Sequence, residues 1–130
     1  MVAKSRGPCY DIAELVADCL VPGKVIVRTR ARETAKEYGF STQARIVSFI
    51  STGAFEKLEH DNTDEIDFGT DAGITFDAYT FKIGPKPVYI AFYKRLAGIW
   101  VVKSFHPPEK GPMAPNLTYH AFEALEVLKK

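Results

Sequence analysis

Gly84-Pro85-Lys86-Pro87-Val88-Tyr89-Ile90-Ala91-Phe92-Tyr93-Lys94-Arg95-Leu96-Ala97-Gly98-Ile99-Trp100-Val101-Val102-Lys103-Ser104-Phe105-His106 is the stretch on which the fold turns. Two runs of β-branched and aromatic residues, Val88 to Tyr93 and Ile99 to Phe105, flank a polar connection that holds Lys94, Arg95 and Gly98. That pattern predicts a β-hairpin with a connection of a few residues. Pro107-Pro108 follows at once. Proline donates nothing to a ladder, so the second strand ends there and leaves His106 at the rim of the sheet.

Side chains alternate along a strand. Val88, Ile90 and Phe92 therefore share one face of the first strand, and Tyr89, Ala91 and Tyr93 the other. On the second strand Ile99, Val101, Lys103 and Phe105 are expected on one face, with Trp100, Val102, Ser104 and His106 on the other. A turn centred on Leu96-Ala97 puts Tyr89 and His106 on the same face as near-diagonal neighbours, about 7–8 Å apart. Such a pair can give a proton, take one or hold a phosphate. The same pattern also fits a half-buried sheet tyrosine beside a surface histidine.

Working outward, Ile74 to Ile83 alternates loosely and predicts a strand before the hairpin. Upstream, Tyr10 to Leu20 spaces Ile12, Leu15, Val16, Cys19 and Leu20 as an amphipathic helix ended by Pro22-Gly23. Lys24 to Val27 suits a short strand or an extended turn. Thr29 is expected to cap a second helix closed by Tyr38-Gly39, and Ser41 a third over Thr42 to Thr52, with Ile46, Val47, Phe49 and Ile50 inward. Ala54 to His60 reads as a helical turn, and the acidic run from Asp61 to Gly73 as a loop. Asn116 caps a last helix over 116–129. The expectation is an α+β fold: N-terminal helices packed on an antiparallel three-stranded meander, plus a C-terminal helix. The 130 residues suit one domain, with 1–8 and 107–115 flexible.

Composition narrows the function classes. No run of about 18 apolar residues suggests a membrane span, and no apolar segment behind the charged N-terminus suggests a signal peptide. Cys9 and Cys19, ten residues apart on one expected helix, would stand about 15 Å apart, too far to bridge. They read as reduced thiols, with Cys19 in the core, and the expected location is the cytoplasm. The net charge of +1 conceals segments. Residues 21–57 carry seven basic and three acidic side chains, residues 58–80 seven acidic and no basic ones, and residues 81–112 six basic and one acidic. These are either solvated faces or a basic surface fitted to a polyanion, with the acidic segment held away from it.

Few residues outside the hairpin suggest chemistry. Lys57 after Phe55-Glu56 reads by itself as a solvated lysine. His60 with Asp61, Asp64 and Asp67 matches no metal-loop spacing, and no metal or cofactor is expected. There is no phosphate-binding glycine loop and no nucleophile elbow.

The order Leu15-Val16, Gly23-Lys24-Val25, Glu37-Tyr38-Gly39-Phe40, Ile46-Val47 to Ile50, Phe55-Glu56-Lys57, Asp77-Ala78-Tyr79, Val88-Tyr89-Ile90 and Trp100 to Phe105 resembles the MqsR family of toxins over roughly residues 10–107. The resemblance implies a RelE-like fold and a metal-independent mRNA interferase of a bacterial toxin–antitoxin module, with RNA as substrate and a cognate antitoxin as protein partner. By position it implies catalytic roles for Lys57, Tyr89 and His106. His106 stands where the family carries a lysine, and Phe76 stands near the family's active-site glutamine. Arg95 and Lys103 are the expected contacts to flanking phosphates. A non-catalytic interaction module on the same fold is the alternative.

Overall fold

The computed structural model describes residues 7–108. Helix α1 (Ile12–Asp18) leads to strand β1 (Val25–Val27), helix α2 (Thr29–Thr34) with a 3₁₀ turn (Ala35–Tyr38), and helix α3 (Gln43–Thr52). Strands β2 (Glu56–Glu65), β3 (Thr75–Ile83), β4 (Lys86–Lys94) and β5 (Trp100–His106) complete the fold. Two helices begin on short polar caps: Asp11 accepts from the Ala13 amide, and Thr42, rather than the expected Ser41, from the Arg45 amide. Helix α2 starts after Arg28 with no side-chain cap, and the expected cap Thr29 is its first residue. Gly39 and Gly53 end the 3₁₀ turn and α3 in the left-handed region, where a Cβ would be strained.

The strands form one mixed sheet in the order β1-β5-β4-β3-β2. The class is α+β, but the expected three-stranded meander is corrected to five strands. The antiparallel β3-β4-β5 unit is present at the centre. Val25, Ile26 and Val27 add a parallel edge beside Trp100, Val101 and Val102. The acidic run adds the other edge: Glu56–Glu65, expected as a helical turn and a loop, is β2, antiparallel to β3. Its backbone pairs with β3 while its carboxylates stay in water, and packing overrides the poor strand propensity of Asp, Asn and Glu. Register breaks between Glu56 and Glu59 and between His60 and Asn62 erase the alternation that would have announced it. The expected C-terminal helix over 116–129 and all but Gly7 and Pro8 of the expected flexible N-terminus fall outside the described residues.

One face of the sheet carries the core. Tyr79, Phe81, Val88, Ile90, Phe92, Trp100, Val102 and Phe105 pack there with Leu15, Ala31, Ala35, Ile46 and Ile50 of the helical layer. Asp77 is fully buried on this face and accepts from the amides of Cys9 and Tyr10 and from the Thr63 hydroxyl, at 2.7–2.9 Å. These bonds fasten the start of the chain to the sheet and satisfy a carboxylate that burial would otherwise penalise. Cys9 thus lies ahead of α1 rather than on it, while Cys19 caps it. Among the described residues, no helix is long and apolar enough to cross a membrane.

Candidate functional site

The second face of the sheet, buried at Ala78, Ala91, Tyr93 and Val101 but partly exposed at Tyr89 and His106, carries the candidate site, and β5 decides what it shows. Lys94 pairs with Trp100, Tyr93 with Val101 and Phe92 with Val102, but Ala91 then pairs with Ser104. Lys103 is the extra residue of a β-bulge. From there on the strand is shifted by one: Phe105 joins Trp100 and Val102 on the core face, and Ser104 and His106 join Val101 on the other. The faces expected from uninterrupted alternation are corrected accordingly. A one-residue slip flips every following side chain, and the bulge supplies that slip.

The bulge brings Tyr89 directly opposite His106. Their rings stack at 5.0 Å between centroids, 22° from parallel. Nδ1 of His106 lies 2.7 Å from the Pro107 carbonyl oxygen. A carbonyl only accepts, so Nδ1 carries the proton, and Nε2 is the acceptor of the neutral ring. Across the four strands, Glu59, Thr80, Tyr89 and His106 form one continuous row on this face.

Beside that row lies a cleft of about 1040 Å³. Its floor includes Phe76, Lys103, Ser104 and His106. In the adjoining row Ala78, Ala91 and Ser104 cross β3, β4 and β5. These small side chains leave room for Lys103 to reach over the intervening strand, so that Nζ stands 4.6 Å from the centre of the Phe76 ring. Burial first, and the nearby Arg28 charge second, lower the pKa of Lys103, while Asp67 opposes the shift.

The two walls of the cleft carry opposite charge. Arg28 and Arg30 come from the end of β1 and the start of α2, and Asp64, Glu65 and Asp67 from the β2–β3 hairpin. The acidic stretch was expected away from His106. It lies in the same cleft because the hairpin folds back over the second face. Asp71 fixes it there. Buried to 6% exposure, Asp71 accepts from the Tyr93 hydroxyl, from Arg28 Nη2 at 3.2 Å and from Arg95 Nη2 at 3.1 Å. The Tyr93 hydrogen bond, and after it Arg95, holds the Asp71 carboxyl below its ordinary range. Burial, and then the Asp71 bond, pushes the Tyr93 phenol up.

The structure therefore divides the expected site residues. Tyr89 stacks on His106, and Lys103 lines the cleft with His106 while its ammonium lies over Phe76. Arg95, expected on a phosphate, has its guanidinium on Asp71. Lys57 is exposed on β2 and does not line the cleft. Three strand spacings separate β2 from β5, roughly 14 Å. Lys57 takes φ = 54°, a left-handed conformation at a register break of the edge strand. His60 has Thr63 as its partner, at 2.8 Å from Nε2, and Thr63 in turn donates to Asp77. Among the described residues, no three His, Cys, Asp or Glu side chains are grouped as metal ligands would be.

Sequence reasoning missed Arg28, Arg30, Phe68 and Asp71. The Arg-x-Arg pair at a strand end next to a helix was a usable signal. Phe68 and Asp71 sat in a segment taken for an unstructured loop. The chain matches no protein-family model, no curated protein and no solved structure.

Proposed function

We propose that this chain is a metal-independent endoribonuclease that cleaves single-stranded RNA at the second face of the sheet, as the resemblance to the MqsR toxins implies, with a cognate antitoxin as its protein partner. The observation that carries the reading is the Tyr89–His106 pair, stacked where that face is partly exposed, with the imidazole anchored through Nδ1 on Pro107.

RNA can be cut through its own 2′-hydroxyl. The 2′-oxygen attacks the adjacent phosphorus as the bond to the 5′-oxygen breaks, leaving a 2′,3′-cyclic phosphate and a 5′-hydroxyl. The reaction needs a base for the 2′-proton, an acid for the leaving oxygen and positive charge over the phosphorane. With Nδ1 anchored on Pro107, Nε2 of His106 is the ring atom left to take or give a proton. Tyr89 supports the ring and can donate a hydrogen bond. Lys103 supplies a cation from the same cleft, and Arg28 and Arg30 extend it along α2. Lys57, on the far edge strand, serves in this reading on a phosphate away from the scissile one.

A second reading, a non-catalytic binding module on the same fold, draws on Asp64 and Asp67 in the cleft with His106. Carboxylates there weaken the field that a polyanion would meet. The test is cleavage of single-stranded RNA by the whole chain in excess EDTA. Wild type is expected to cut, and His106→Ala to cut about a hundredfold more slowly or worse, the scale of a lost acid–base group. Equal rates, or a folded wild type that cuts nothing, leave the binding-module reading.

A further inference from the structure

The opposed walls of the cleft are a difficulty for any ligand of one charge sign. A bare polyanion is repelled by the hairpin carboxylates, and a basic peptide by Arg28, Arg30 and Lys103. A nucleotide with an exocyclic amine presents both requirements at once, with phosphate on one side and N–H donors on the other. The cleft is at the upper end of the size range of small-molecule sites, about 300–1,000 Å³.

Phe68 lines the cleft and is 81% exposed. Single exposed apolar side chains are ordinary on a surface. This one stands on a hairpin that Asp71 clamps to the sheet three residues on, so its backbone is anchored beside the cleft. Rigidly placed aromatic rings beside cations are how single-stranded nucleic acids are gripped, at about 1–3 kcal/mol per stacked base. Nη2 of Arg28 is engaged by Asp71 and Tyr93 from within, which fixes its guanidinium beside the cleft.

We propose that the cleft is a nucleobase subsite for RNA that favours amino-bearing bases over uracil: the base stacks on Phe68, its amine donates to Asp64 or Asp67, and its phosphate lies on Arg28, Arg30 and Lys103. This rests on the reading that the chain binds RNA. The amines of adenine, cytosine and guanine are donors. Uracil sets one N–H between two carbonyl oxygens, which the carboxylates repel. An arriving phosphate also offsets the burial that disfavours the Lys103 charge.

The experiment is a fluorescence-anisotropy titration of the whole chain with 2′-O-methyl oligoadenylate, oligocytidylate and oligouridylate, probes that bind without being cut. Wild type is expected to bind the first two about tenfold more tightly than the third, a difference of about 1.4 kcal/mol. Phe68→Ala should weaken every probe by about tenfold, with an unchanged circular dichroism spectrum. Asp64→Asn with Asp67→Asn should tighten oligouridylate and erase the preference. Equal binding of the three probes, an unaffected Phe68→Ala protein, or no binding by folded wild type overturns the subsite. Because the probes are uncleavable, preferential binding by a chain that fails the cleavage test leaves the subsite standing and removes only the nuclease reading.

Discussion

Tyr89 stands directly across from His106 because β5 carries one residue more than β4 needs. At the turn Lys94 pairs with Trp100, so an uninterrupted register would set Tyr89 against Phe105 and send His106 into the core. Lys103 takes up the difference. The residue that shifts the histidine is also a cation of the cleft that His106 lines.

Deleting Lys103 removes the extra residue, so Ser104, Phe105 and His106 follow Val102 in plain alternation and keep their partners Ala91, Ile90 and Tyr89. Phe105 is fully buried against Tyr38, Phe40 and Phe49 and should stay there. The deletion should therefore cost well under the about 3–5 kcal/mol of removing a core phenylalanine, read by urea denaturation. A loss of that full size would show that the end of β5 does not keep its register once the bulge is gone.

Asp71 gives the fold a defined acid response. Its folded pKa lies below the ordinary carboxylate value because Tyr93 and Arg95 bond the ionised form. The unfolded chain then binds the proton more readily. The resulting stability is fully present above the unfolded value of about 3.9 and is lost as pH falls through the lower folded one. Asp71→Asn should remove this component and flatten the stability profile below about pH 5. It should also cost about 1–3 kcal/mol at neutral pH, the penalty of a mispaired buried group, because Arg28 and Arg95 remain partly solvated. Thermal melts of both proteins across pH check the sign.

Lys57 holds a left-handed backbone that a glycine adopts without strain. Lys57→Gly should raise stability by up to about 1 kcal/mol, since the exposed side chain gives up little packing. Its effect on RNA cleavage should be far smaller than the about hundredfold loss expected at His106, because the two stand on strands three spacings apart. Cleavage by Lys57→Gly as poor as by His106→Ala would bring Lys57 back to the scissile phosphate.

Cys19 should be chemically quiet in the folded chain. Burial, with Asp18 beside it, pushes its thiol up to about 12. Only the thiolate attacks an alkylating reagent. In a Cys9→Ser background, iodoacetamide at pH 8 should modify native Cys19 about a thousandfold more slowly than an ordinary thiol of pKa about 8.5. Labelling at the rate of the urea-unfolded protein would contradict that burial.

The sequence by itself determined the central β3-β4-β5 unit and the approximate spans of α1, α2 and α3. Each is written in short-range signals: two-residue or helical periodicity, polar caps, and glycines and prolines at the ends. It also placed His106 at the sheet rim and on the same face as Tyr89, though from a register that takes no account of the bulge. What lies at the edges and over the second face was decided only by the tertiary structure. The three residues of β1 are too few to show a period, and their partners lie 75 positions along the chain. The β2 strand is acidic and twice interrupted, and only pairing with β3 makes it a strand. Arg28, Asp71, Tyr93 and Arg95 meet across 67 positions, and no local pattern marks such a meeting. The cleft depends on that clamp, because Asp71 lays the hairpin back over the sheet and sets its carboxylates opposite the arginines of α2.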